Sequence, residues 1–277
     1  MTQWTLSGFG DEIDPDPVVQ LAVLAALGAR HLELRSAWDV NVVDLDAGRL
    51  DRIAALLAER GMAVSAIASP IGKVQITDDP AGERDRLTRA IAAAHRLDCR
   101  YIRLFSFYRP PGVTAQDIRD EVLTRMRDWA ATAEREGVVL VHENEKEIYG
   151  DTPERVRDIV ESVGSPALRV AWDNANFVQV GVRPFTDGYA QLRPYLEYLQ
   201  VKDAMADTGE VVPAGAGDGE LRETLTALRD DGYAGFASLE PHLALQSATG
   251  GFSGPAEFGR AARAFAALTH EIGVQTA

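Results

Sequence analysis

Four apolar runs in the second half of the 277-residue chain each give way to oxygen-bearing side chains: Val141-His142-Glu143-Asn144-Glu145, Ala171-Trp172-Asp173-Asn174, Leu199-Gln200-Val201-Lys202-Asp203 and Ser238-Leu239-Glu240-Pro241-His242. A lone carboxylate at such a place reads equally well as a helix cap or a solvated loop acid. Three that converge, Glu143, Asp173 and Glu240, repel one another unless a cation lies between them. A divalent ion would leave roughly one of their three negative charges, which nearby Lys202 can balance. With the Gln200 amide oxygen they make an oxygen-dominated shell, which suits manganese or magnesium better than zinc. Such an ion polarises a carbonyl and stabilises the enediolate formed when a proton is removed beside it. Glu143 and Glu240, from different runs, are the natural catalytic pair, acting as base and acid on opposite sides of a substrate.

Chemistry of this kind needs a frame that brings distant stretches together. Short β-prone runs recur along the chain, each followed by a longer stretch with helical apolar spacing, the pattern of βα units around a parallel sheet. Eight strands are expected: Trp4–Phe9, His31–Arg35, Ala63–Ala68, Tyr101–Phe105, Val138–His142, Leu168–Trp172, Tyr198–Val201 and Phe236–Leu239. Helices are expected over Pro17–Gly28, Ala47–Arg60, Ala81–Arg96, Ala115–Glu136, Pro153–Val163, Gly219–Asp231 and Pro255–Ile272. Gly28, Gly61, Gly137 and Gly232 stand where helices end, as left-handed caps would. Strand starts lie roughly 27 to 38 residues apart, the length that a strand, a loop and a crossover helix consume. The expected architecture is α/β, a single-domain (β/α)8 TIM barrel over residues 1–277, with its site at the carboxyl ends of the strands. No Gly-x-Gly-x-x-Gly follows the first strand, which weighs against an open dinucleotide-binding sheet. Gly215-Ala216-Gly217-Asp218-Gly219 reads as a flexible turn rather than a phosphate cradle, because the Lys-Ser/Thr of a phosphate-binding loop does not follow it.

Apolar residues make up 46% and charged residues 25%, an ordinary globular balance. The chain shows neither a secretion-type leader pattern nor an apolar window of roughly 18 residues, so no membrane partner and a cytoplasmic location are expected. The net charge of −14 opposes phosphate backbones, so no nucleic-acid partner is expected. The lone cysteine, Cys99, lies in the apolar-rich stretch Leu97–Ile102 and reads as a buried, inert thiol. A homo-oligomer is compatible with the sequence but not indicated by it.

From Val138 to His242 the chain resembles the xylose isomerase-like barrel superfamily, the sugar phosphate isomerase and epimerase group; more weakly, the likeness runs through the whole βα rhythm. In that group a glutamate after strand five, an aspartate after strand six, a histidine after strand seven and a glutamate after strand eight hold the metal. The resemblance implies that role for Glu143 in His142-Glu143-Asn144, Asp173 in Trp172-Asp173-Asn174, Gln200 in Gln200-Val201-Lys202-Asp203, and Glu240 in Leu239-Glu240-Pro241-His242. Three positions depart from the family pattern, which often has histidine where Gln200, Glu145 and Asn176 stand. Gln200 keeps a carbonyl oxygen for the ion but binds it less tightly than an imidazole would. The endonuclease branch of the superfamily, with its histidine-rich trinuclear zinc site, fits poorly a chain with five histidines.

Substrate contacts are expected from Lys202, His242, Arg35, Lys73 and Asn176. Arg35 and Glu33 end the second strand, and one of them is expected to contact substrate, against a structural ion pair; for Lys73 the alternative is a solvated lysine. Arg103, inside the fourth strand, reads as part of a buried charge network, and His142 as facing the helices. His31, His95 and His270 read as structural or solvated. Trp38, Phe105, Phe107, Tyr108 and Phe177 fit either an apolar wall for a sugar ring or core packing. The leading expectation is a metal-dependent isomerase or epimerase acting on a sugar-like small molecule. The alternatives are a lyase of similar fold, as in inosose dehydratases and keto-C-glycoside deglycosidases, and a metal-poor sugar-binding protein.

Overall fold

The computed structural model describes residues 2–244 and 251–277. Eight strands run parallel around a ring: the first Thr2–Gly8, the second His31–Leu34, the third Ala63–Ala68, the fourth Tyr101–Leu104, the fifth Val139–Glu143, the sixth Leu168–Asp173, the seventh Leu196–Val201 and the eighth Phe236–Leu239. Consecutive strands pair from the second to the eighth, and the eighth pairs with the first, Thr5 opposite Phe236 and Gly8 opposite Leu239. A parallel bridge between Phe9 and Glu33 joins the first strand to the second and closes the ring. The fold is the α/β TIM barrel that the βα rhythm predicts.

Local chemistry explains where the elements begin and end. Asp16, Asp46 and Asp79 each accept a backbone N–H at the start of the helices Pro17–Ala26, Ala47–Arg60 and Pro80–Arg96. Thr114 and Asp117 form a reciprocal capping box before Ala115–Glu136. That helix buries Ile118, Val122, Met126, Trp129 and Ala133, one face at helical spacing. Gly61 and Gly137 close their helices in the left-handed conformation, and Gly164 does the same for Pro153–Val163, a cap the sequence reading did not single out.

Several boundaries differ from expectation. The seventh strand begins at Leu196 rather than Tyr198, and the helix expected over Gly219–Asp231 spans Leu221–Asp230. Strands six and seven are joined by the short helix Asn174–Val178, a wide π-helical turn over Pro184–Tyr189 and short turns that follow; Pro184 and Pro194 punctuate this stretch. A further short strand, Val274–Thr276, pairs with Thr2–Trp4 on the side of strand one away from strand eight. Two small hairpins, Ser36–Ala37 with Val40–Asn41 and Asp203–Ala204 with Val211–Val212, rise from the carboxyl ends of strands two and seven. Among the described residues no helix is long and apolar enough to cross a membrane.

Inside the ring the chemistry changes with height. At the amino end, Tyr101, Tyr198 and Phe236 pack against one another and His31 lies edge-on to Phe236. Above them runs a chain of hydroxyls, Ser7 to Ser65 to Tyr198, ending on the Glu33 carboxylate. The carboxyl end carries the charged cluster.

Candidate active site

Glu143 is the last residue of strand five, Asp173 the last of strand six, and Glu240 follows strand eight. All three are buried, and each offers an oxygen within 4.8 Å of the other two. The Lys202 ammonium lies 2.9 Å from Asp173 Oδ2 and 3.2 Å from Glu240 Oε2. Arg103 donates to Glu143 at 3.0 Å and stands 3.7 Å from Glu240, so the buried network expected of it is part of this site. Arg35 pairs with Asp11 at 2.7 Å and Glu240 at 3.4 Å, not with Glu33, and both guanidinium groups lie over the Phe9 ring.

Six buried carboxylates (Asp11, Glu12, Glu33, Glu143, Asp173, Glu240) face three buried cations (Arg35, Arg103, Lys202), a formal excess of three negative charges that, unless a cation offsets it, burial relieves by favouring protonation at Glu12, Glu33 and Glu143. Burial pushes the Glu143 carboxyl up to about 8 despite Arg103, and Asp173 up to about 6 despite Lys202. Burial alone would raise Glu240 too, but Lys202 and His242 hold it well below the usual carboxylate range. Burial works against the Lys202 ammonium, yet Asp173, Glu240 and Glu143 together keep it charged. Gln200 stands opposite Asp173 in the strand register, and its buried Oε1 has no hydrogen-bond partner among the described residues. An orphaned carbonyl oxygen beside carboxylates that outnumber their counter-charges is a donor set that fits one hard divalent ion.

The residues around this cluster hold it in shape. Asn176 donates from its amide to Glu143 Oε1 at 3.1 Å and to the Asn144 carbonyl, while its own N–H donates to Asp173. Asn144 bonds the backbone of Asp173 in both directions, tying strand five to strand six. His242 has a left-handed backbone, φ 45°, and its Nε2 lies 3.2 Å from Glu12 and 3.3 Å from Glu240. Glu12 secures that conformation by accepting the His242 N–H and the Ser253 hydroxyl. Lys73 pairs with Glu145 at 2.9 Å and lies over the Phe105 ring.

Arg35, Arg103, Glu143, Lys202, Glu240 and His242 line an inner cavity of about 90 Å³. It shares Lys73, Glu145, Lys202 and His242 with an outer cavity of about 540 Å³, where Asn176 and Lys146 also stand. The structure thus brings all five residues expected to touch substrate to these two cavities. Phe105, Phe107 and Phe177 are instead fully buried, so their part is packing. His142 is buried against Gly150, away from the cluster.

The glycine-rich segment after strand seven is not a phosphate cradle: the Asp203 carboxylate accepts the N–H groups of Gly215, Gly217 and Gly219. Nor is it a loose turn, because those bonds pin it. A Cβ on Gly217 or Gly219 would come within 2.5 Å of Asp203 Oδ1, which is why glycine stands there. Asp11 and Glu12, three and four residues beyond the end of strand one, carry no signal that the sequence reading used, although they too lie at a strand's carboxyl end.

Residues 21–266 match the family described as xylose isomerase-like TIM barrel. A 2-epi-5-epi-valiolone 7-phosphate 2-epimerase from Actinoplanes sp. (strain ATCC 31044 / CBS 674.73 / SE50/110) is 31% identical over 232 residues, 83% of this chain and 81% of that protein. Among solved structures, a D-tagatose 3-epimerase-like protein superimposes with a TM-score of 0.79 at 15% identity, covering 97% of this chain and 98% of its own. A xylose isomerase-like TIM barrel protein from Mycobacterium smegmatis in complex with magnesium does so at 0.71 and 19%, covering 98% of each. A closed parallel barrel with its charged cluster at the strand carboxyl ends, matched over this length, means that the chain belongs to the xylose isomerase-like TIM barrel family.

Proposed function

We propose that this protein is a divalent-metal-dependent isomerase or epimerase of a sugar-like ketone, acting through an enediolate, with manganese or magnesium held by Glu143, Asp173, Gln200 and Glu240. The observation that carries the reading is the buried Glu143–Asp173–Glu240 cluster with its excess of negative charge at a polar cavity. The ion would supply Lewis acidity, polarising the substrate carbonyl and lowering the barrier to proton loss beside it.

The chain's own residues do the rest. Glu143 would act as one proton carrier, with Arg103 and Asn176 fixing its two oxygens. Glu240, kept ionised by Lys202, serves the opposite face of the substrate as the second proton carrier. Lys202 and His242 stand where they can steer hydroxyl and carbonyl oxygens. Arg35, Arg103, Lys202 and Lys73 are each engaged by a carboxylate, which favours neutral hydroxyls as the groups recognised in the inner cavity, while Lys146 in the outer cavity, bonded to the neutral Gln179, is the cation open to an anionic group.

The test is to incubate the protein and Mn²⁺ in deuterium oxide with keto-sugars, free and phosphorylated. The expected result is an isomer or epimer carrying solvent deuterium at the carbon that exchanged its proton. An unsaturated or deglycosylated product makes the protein a lyase. A protein that retains no ion after dialysis against Mn²⁺-free buffer and turns nothing over is a binding protein.

A further inference from the structure

An amide side chain has two ends of similar shape and opposite polarity, and only its neighbours decide which end faces where. Gln200 is fully buried in the barrel. Its Nε2 donates to Glu33 Oε1 at 2.9 Å, and the other Glu33 oxygen accepts the Tyr198 hydroxyl at 2.9 Å. Glu33 is itself completely buried, on strand two, across the barrel from Gln200 on strand seven. Both of its oxygens are therefore occupied as acceptors by donors from strand seven.

We propose that Glu33 is a positioning residue that holds the Gln200 amide with its NH2 turned inward, leaving the carbonyl oxygen as the end available to a cation bound by Glu143, Asp173 and Glu240. A carboxylate accepts and does not donate, so the reversed amide would set the Gln200 oxygen against a Glu33 oxygen, two acceptors facing each other. The orphaned, buried Gln200 Oε1 is the complement of that arrangement: one end is bonded by design of the layer below, the other waits for a partner. Tyr198 keeps Glu33 from turning away. An amide that is free to flip would offer an ion its donor end part of the time; a fixed one offers only oxygen. This inference rests on the metal reading above, and it assigns to this chain a way of making a neutral glutamine an obligate oxygen donor.

The experiment is a double-mutant cycle read as Mn²⁺ affinity, following free Mn²⁺ by its paramagnetic resonance signal rather than by turnover. Glu33→Gln allows either amide end to face Gln200, and it is expected to weaken Mn²⁺ binding by roughly tenfold to a hundredfold. In a Gln200→Leu background the same change is expected to matter by no more than about twofold, since no amide remains to orient. Equal losses in both backgrounds overturn the proposal, because Glu33 then acts through its charge alone. An unchanged affinity for Glu33→Gln also overturns it while leaving the metal reading intact. Failure of the wild-type protein to bind Mn²⁺ overturns both. If Glu33→Gln does not fold, Tyr198→Phe carries the same cycle: it keeps the charge and removes the donor that steadies Glu33, and its effect is likewise expected to disappear with Gln200→Leu.

Discussion

At Gln200 the chain offers the proposed ion an amide oxygen, where the family it resembles often has histidine. Imidazole suits borderline ions better, so Gln200→His is expected to raise affinity for zinc or cobalt by about tenfold or more, measured by competition with a chelating dye. An unchanged or weaker affinity would remove Gln200 from the proposed shell. Glu143→Gln and Glu240→Gln each keep an oxygen but lose the proton site. Turnover is expected to fall by roughly 10²- to 10⁴-fold while metal occupancy changes much less; near-native turnover with full occupancy would place the bases elsewhere, with His242 and Lys202 next in line. Cys99, 6% exposed and pushed up to about 12 by burial, is expected to react with a disulfide reagent at pH 8 only as fast as the protein opens. The linkage has a definite sign. The folded state keeps the Cys99 proton that the unfolded chain releases near pH 9, so stability is lost as pH rises from about 9 toward 12. Cys99→Ser should flatten the stability curve over that range, in urea titrations at successive pH values. The acids at the strand ends were legible because each sits where an apolar run stops. The role of Glu33 was not, because its partners come from a strand on the far side of the ring and no spacing in the sequence connects them.

Among the elements, the helices closed by a glycine and carrying an apolar run were read correctly from sequence; the aspartates and threonine that cap their starts obey equally local rules but were not singled out. The connector between strands six and seven was not legible, since Pro184 and Pro194 break it into pieces too short for a helical period to show. The two hairpins, with strands of two residues each, are likewise below the length at which alternation can be recognised. Two loops lend themselves to tests. Gly72 has φ 84°, and a Cβ there would lie 2.1 Å from the carbonyl oxygen of Phe105. Gly72→Ala is therefore expected to destabilise the protein by about 1–3 kcal/mol from the dihedral alone, with the collision adding to it, and to displace Lys73 next door. A denaturant midpoint equal to wild type would show that this loop yields. Asp203→Asn replaces an acceptor of four backbone N–H groups by an amide that must turn a donor toward some of them. A loss of about 2–3 kcal/mol is expected, together with faster hydrogen exchange over residues 215–219.

For the molecule as a whole, the excess of buried negative charge makes the proposed ion a stabiliser of the folded state. Mn²⁺ at a hundredfold excess over its dissociation constant is expected to add about 2.7 kcal/mol, a rise of several degrees in Tm by calorimetry. Asp173→Ala, which removes the ligand oxygen altogether, should abolish the rise; a shift that survives this change would mean that the ion binds elsewhere. The barrel itself was foreseeable from eight repeats of one rhythm, whereas its outer strand was not. Val274–Thr276 beside Thr2–Trp4 has a consequence for how the chain is made. Strand one lies between strand eight and this short strand, and both come from the far end of the sequence. Until those are synthesised, strand one has a hydrogen-bonding edge with nothing to cover it, and the carboxylates contributed by strands five, six and eight cannot yet meet around a cation. The last contacts in sequence are thus the ones that complete both the ring and its charge cluster, so a chain stalled before strand eight would expose an open sheet edge that favours aggregation over function.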